Sequence, residues 1–130
     1  MCVCACVYDA VGEVLGVLRE GEPVTGLSSL NDNLYVLRGR KTSEQVEVFD
    51  LQSPCLRHTL TIEGLGDGAD IVACGNSRSI YVSDRNMCIR KVDVDNSRNQ
   101  SQWPVDDEPG ALSLTGKQTL LVVCSSARSL

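Results

Sequence analysis

Three cysteines at alternate positions, Cys2, Cys4 and Cys6, open the chain. Side chains along a β-strand alternate with a period of two, so these thiols would share one side and could in principle bind a soft metal. Zinc sites combine separated Cys-x-x-Cys or histidine pairs, and the chain has no such pair, so the three read as small buried hydrophobes and no metal is expected. His58 is the only histidine. Any serine or cysteine triad must pass through it, yet there is no Gly-x-Ser-x-Gly elbow and His58 falls in a run that reads as an outer strand. Asp93-Val94-Asp95-Asn96-Ser97 begins like a calcium loop, but Arg98 stands where the turn glycine belongs and Pro104 where the bidentate glutamate belongs. Gly64-Leu65-Gly66-Asp67-Gly68 is glycine-rich, but no helix follows to aim a positive dipole at a phosphate, so it reads as a turn between strands. Asn99-Gln100-Ser101 is a glycosylation sequon by pattern, relevant only to a secreted chain. No catalytic residue and no cofactor are expected.

The elements that carry these residues repeat. Val7-Tyr8-Asp9, Val48-Phe49-Asp50 and Val92-Asp93 end on aspartates 41 and 43 residues apart. Leu34-Tyr35-Val36-Leu37 matches Ile80-Tyr81-Val82-Ser83 and Leu120-Leu121-Val122-Val123 at offsets of 46 and 40 residues. The aspartates read as structural, each carboxylate accepting backbone N–H groups in the turn after its strand. A period near 40–45 residues made only of short strands is the signature of β-propeller blades, each a four-stranded sheet. The fold class expected is therefore all-β, in antiparallel four-stranded blades, with the chain an incomplete propeller of about three blades.

In order, residues 1–23 read as the end of one blade, with an inner strand over Cys2–Asp9 covered on both faces and an outer strand over Val14–Leu18. Residues 24–66 form a complete blade, with strands at Val24–Leu30, Leu34–Leu37, Val46–Asp50 and Leu56–Ile62, the last with one wet face. Residues 67–108 form another, with strands at Asp70–Cys74, Ser79–Asp84, Cys88–Asp93 and about Ser101–Val105. The link Asp106–Gly110 leads into a further blade begun in residues 109–130 by Ala111–Leu114 and Thr119–Cys124. Unpaired strand edges at both ends call for further blades or for self-association.

Composition narrows the function classes. An apolar content of 42% is enough to bury a core. Seventeen acidic against twelve basic residues, a net charge of −5, would repel a phosphate backbone, so nucleic acid is disfavoured as a partner. Seven cysteines without the regular spacing of a disulfide framework fit a reducing compartment. The first residues lack a basic stretch and are broken by Asp9 and Glu13, so neither a signal peptide nor a membrane span is expected, and the reading is cytoplasmic.

At Ile80–Asp93, IYVSDRNMCIRKVD, with Pro109-Gly110 leading into an inner strand, the sequence resembles NHL-type repeats. Their blades carry an apolar strand ending in aspartate, a polar turn, and a strand ending in a hydrophobic residue and aspartate. The first blade departs from this pattern, with Leu37 where the first aspartate belongs and a longer turn at Arg38–Glu44. No Trp-Asp pair of the WD type is present. The resemblance implies a binding scaffold, as in ubiquitin-ligase-type multidomain proteins, with RNA-binding regulators and metal-dependent lyases or hydrolases as the family's alternatives. RNA binding would need a basic face, and the enzymes need histidines or carboxylates converging on the channel.

The charged loops point to the scaffold. Links between blades and turns between second and third strands share one face of a propeller, the links lying nearer the channel. The links here are acidic: Glu20 and Glu22, then Glu63 and Asp67, then Asp106, Asp107 and Glu108. The turns are basic: Arg38, Arg40 and Lys41, then Arg85. The expectation is a non-enzymatic face that binds a protein with a basic segment, with Leu65 supplying apolar contact.

Overall fold

A computed structural model describes residues 5–8, 10–18, 23–38, 44–52 and 55–125, and among these every regular element is a strand. A two-stranded hairpin, β1 (Ala5–Tyr8) and β2 (Val14–Leu18), comes first. The first complete blade is β3 (Val24–Leu30), β4 (Asn33–Arg38), β5 (Gln45–Asp50) and β6 (Leu56–Thr61), paired antiparallel in chain order. The second is β7 (Gly68–Cys74), β8 (Ser79–Asp84), β9 (Cys88–Asp93) and β10 (Gln100–Pro104), joined in the same way. A last pair follows, β11 (Glu108–Leu114) with β12 (Leu120–Ser125).

Local chemistry accounts for this pattern. β4, β8 and β12 are the matching apolar runs, and the turn leading into each holds a residue at positive φ: Asn31 at 57°, Arg78 at 49° and Gln118 at 64°. That reversal lets each strand fold straight back on its predecessor. The turns after the third strands close on the repeated aspartates. Asp50 Oδ1 accepts the Gln52 N–H at 3.0 Å, and Asp93 Oδ1 accepts those of Asp95 and Asn96 at 2.8 and 3.2 Å.

The core lies between the two complete blades. Leu37, Val46 and Val48 from the first meet Ile71, Ile80, Val82 and Val92 from the second in one buried cluster. The sheets come so close that a Cβ on Gly68 would stand 2.8 Å from a Leu37 methyl, so glycine is the residue that fits where β7 begins.

Several expectations need correction. Glu108 is the first residue of β11, so the acidic link into the last pair ends at Asp107. β1 is not covered on both faces: Cys6 and Tyr8 are exposed, as is Cys124 on β12, because each lies in a sheet of only two strands among the described residues. In β6, Leu56 to Thr59 are all exposed and only Leu60 is buried, since this strand is the blade's outer edge. Cys2, Cys4, Asp9, Glu20, Glu22, Arg40 and Lys41 lie outside the described residues.

Candidate partner-binding face

The link from the first complete blade to the second, Ile62–Asp67, is fixed from beneath by an ion pair that charge counting overlooked. Asp84, fully buried at the end of β8, and Arg90, buried on β9, meet at 2.9 Å. β9 reverses on β8 so that Arg90 stands opposite Val82, which brings its guanidinium diagonally onto Asp84. Both carboxylate oxygens of Asp84 are used twice. Oδ2 accepts from Arg90 Nε and the Gly66 N–H, and Oδ1 from the N–H groups of Asp67 and Asn86, all within 3.2 Å. Burial alone pushes the Asp84 carboxyl up, but the bonds from Asn86, Gly66, Arg90 and Asp67 together hold it below the usual carboxylate range.

Arg90 carries the fastening into the link. Its Nη1 donates to the Glu63 carbonyl at 2.9 Å and to Gln102 Oε1, and its Nη2 donates to the Gly64 carbonyl at 2.8 Å. Gly64 sits at φ +81°, and a Cβ there would approach Arg90 Nη1 to 3.2 Å, so the turn that exposes these carbonyls favours glycine. From the outer side, Gln100 accepts the Glu63 N–H at 3.1 Å and donates to the carbonyls of Thr61 and Ser97. Gln100, Gln102 and Arg90 line one side of a cleft of about 430 Å³ whose other side is Ile62, Glu63 and Gly64. The link is therefore rigid, which suits a loop that presents contacts to a partner.

The charged residues fall together less simply than two belts. Arg85, in the turn between β8 and β9, lies 3.0 Å from Asp67 of the inter-blade link and 4.0 Å from Glu108 at the start of β11, so it stands between two carboxylates instead of in a separate basic set. Arg38 is engaged by Glu47 of the neighbouring strand of its own blade and does not stand out as a loop cation. Glu63, Asp106 and Glu108 are exposed, with Asp67 and Asp107 partly so. The Val105 N–H donates to the Met87 carbonyl at 3.0 Å, which sets the Asp106–Asp107 link beside the turn that carries Arg85. Two carboxylates, those of Asp67 and Glu108, thus flank one guanidinium on this face.

Leu65 does not supply the apolar contact. It is buried in the core cluster, where its N–H bonds the Ile62 carbonyl, because the tight Gly-Leu-Gly turn folds the side chain inward. The exposed apolar group on the face is Met87, at φ 70° on the tip of the turn. A non-glycine residue held in that region is a strained presentation fixed by its surroundings. Its place in the turn Asp84–Cys88 was visible in the sequence, but its exposure was not. His58 lies exposed on β6, the edge strand of its blade. Among the described residues no group of three or more His, Cys, Asp or Glu side chains is placed to hold a metal ion, and no helix is long and apolar enough to cross a membrane.

No protein-family model and no curated protein matches the sequence. Solved structures with a similar fold include hydrazine synthase from Kuenenia stuttgartiensis, with a TM-score of 0.75 and 17% identity over 95% of this chain and 36% of that one. The WD40 domain of Neurospora crassa Pan2 gives a TM-score of 0.65 and 15% identity over 86% of this chain and 38% of that one. Dihydro-heme d1 dehydrogenase NirN in complex with DHE gives 0.68 and 14% over 97% and 29%. The chain thus spans about a third of the length of the structures it matches. WD40 repeats build four-stranded propeller blades, and the likeness shows that architecture. It does not reach the type of repeat.

Proposed function

We propose that the chain is a non-enzymatic, NHL-type protein-interaction scaffold whose inter-blade link face binds a partner protein through a basic segment. One observation carries this reading: Asp67 and Glu108 flank Arg85, the Asp106–Asp107 link lies beside the turn that carries Arg85 and the exposed Met87, and the buried Asp84–Arg90 pair fixes the link that carries Glu63 and Asp67. A rigid rim of like charge steers an oppositely charged partner and rejects others, while an apolar anchor supplies residence time. The isolation of His58 on an outer strand supports the non-enzymatic part, since nucleophile and base chemistry would have to be assembled around it. The NHL-type assignment rests on Ile80–Asp93, whose Asp84 and Asp93 each close a turn.

The test is a triple substitution, Asp106, Asp107 and Glu108 to serine, applied to a partner recovered by pull-down. These side chains hold little stability, so the fold should persist. Association should slow several-fold at low salt and lose most of its salt dependence. An unchanged association rate at low salt would reduce the acidic rim to ordinary solvated loops.

A further inference from the structure

The outermost strand of the second complete blade has an open edge, and that edge lies in the cleft beside the link. In the β9–β10 ladder the Asp93 N–H donates to the Asn99 carbonyl at 3.1 Å and the Val105 N–H to the Met87 carbonyl at 3.0 Å, with an unbroken register between them. Antiparallel strands exchange hydrogen bonds at every second residue, so Ser101 and Trp103 turn their backbone groups toward β9. Gln100, Gln102 and Pro104 turn theirs the other way, where β10 has no neighbouring strand among the described residues. Pro104 has no N–H to present there, which is how a sheet edge accommodates proline. The N–H groups of Gln100 and Gln102 and the carbonyls of all three find no partner among the described residues. Gln100, Ser101 and Gln102 line the cleft opposite Ile62, Glu63 and Gly64. Both walls belong to complete blades.

Carboxylates set the charge of this cleft. The Arg90 guanidinium is matched by Asp84 at 2.9 Å and taken up by the carbonyls of Glu63 and Gly64 and by Gln102. Glu63 is exposed and makes no ion pair with a described residue. Glu44 Oε2 accepts the Gly64 N–H at 2.9 Å, which brings a second exposed carboxylate to the same turn. Backbone donors and acceptors that recur at every second residue match an extended chain, whose own groups repeat with that period. We propose that an extended segment of a partner protein enters the cleft as a fifth strand of the second blade, hydrogen-bonded to Gln100 and Gln102, with a lysine or arginine against Glu63. This rests on the partner-binding reading and says how the basic segment is held: the backbone pairing supplies affinity and the alternate side chains supply selection.

The probe is a capped peptide of alternating valine and lysine, titrated against the whole chain by calorimetry. Glu63→Gln should weaken its binding several-fold and flatten the salt dependence. Gln102→Pro removes one outward N–H, as Pro104 does two residues on, and leaves the β9 ladder intact, whereas Gln102→Ala loses the same side chain and keeps the N–H. The proline variant should bind at least about tenfold more weakly than the alanine variant. A second measurement needs no variant protein. Successive N–H groups of an extended peptide point to opposite edges, so methylating the backbone amides of one residue type should abolish binding and methylating those of the other should spare it. No peptide binding, equal binding by the alanine and proline variants, or equal loss with both methylated peptides would each overturn the proposal. A recovered partner whose association slows in the serine triple at Asp106, Asp107 and Glu108, but whose affinity is the same for Gln102→Ala and Gln102→Pro, would remove the cleft and leave the acidic rim standing.

Discussion

Arg90→Met is expected to lower the free energy of unfolding by about 3–5 kcal/mol, the cost of leaving a buried charge without its partner. Urea unfolding should show this as a lower midpoint with an unchanged slope. Arg90 is almost wholly buried and ties the Asp84 carboxylate to the carbonyls of Glu63 and Gly64, so its removal loosens the link as well as the pair. Replacing both partners, as Arg90→Met with Asp84→Leu, often restores stability at buried ion pairs. Here it should not, because Asp84 also accepts from the N–H groups of Gly66, Asp67 and Asn86, which an apolar side chain would strand. The double variant recovering wild-type stability would contradict the role assigned to Asp84. Acid should report the same network. A carboxyl held below its unfolded pKa of about 3.9 contributes stability that is complete above that value and is lost as pH falls through the folded one. Removing Arg90 takes away one of the groups that hold it low, so the variant's acid unfolding should begin at higher pH.

Leu37→Ala should cost about 2–5 kcal/mol, the range for a fully buried leucine whose surroundings collapse only in part. Leu37 is 0% exposed and stands against the start of β7 at Gly68, so the cavity would open between the two complete blades instead of inside either one. Because one cluster spans both sheets, thermal unfolding of the variant should shift as a single transition. Two separated transitions would mean that this cluster does not couple the two blades.

The strands were legible because their chemistry is local. Val24–Leu30, Ser79–Asp84 and Cys88–Asp93 are dense in apolar and β-branched residues and stop at polar turns, and the structure places β3, β8 and β9 at those bounds. The aspartate turns were legible for the same reason, since the carboxylate reaches backbone two and three residues ahead. What escaped depends on neighbours distant in the chain. Leu65 sits among Glu63, Asp67 and glycines, and nothing local shows that its turn dips into a core shared with Ile71 and Val92. Cys6 and Tyr8 look like an inner strand by composition, yet their burial depends on which sheets flank β1. Arg85 read as part of a basic set because turns and links were counted separately, whereas the fold sets that turn between Asp67 and Glu108. Asp84 and Arg90 are a diagonal pair across one hairpin, visible once the register is known and hidden while it is not.

The partner-binding account is tested most directly by resolving its kinetics with a recovered partner. Steering charge and apolar anchoring act on different rates, since rim charges govern association and desolvated contacts govern dissociation. The serine triple at Asp106, Asp107 and Glu108 should slow association and leave dissociation nearly unchanged, whereas Met87→Ser should speed dissociation and leave association nearly unchanged. Finding that neither rate moves in either variant, while Arg90→Met still destabilises the fold, would show that the network holds the link for structural reasons alone and that the partner binds elsewhere.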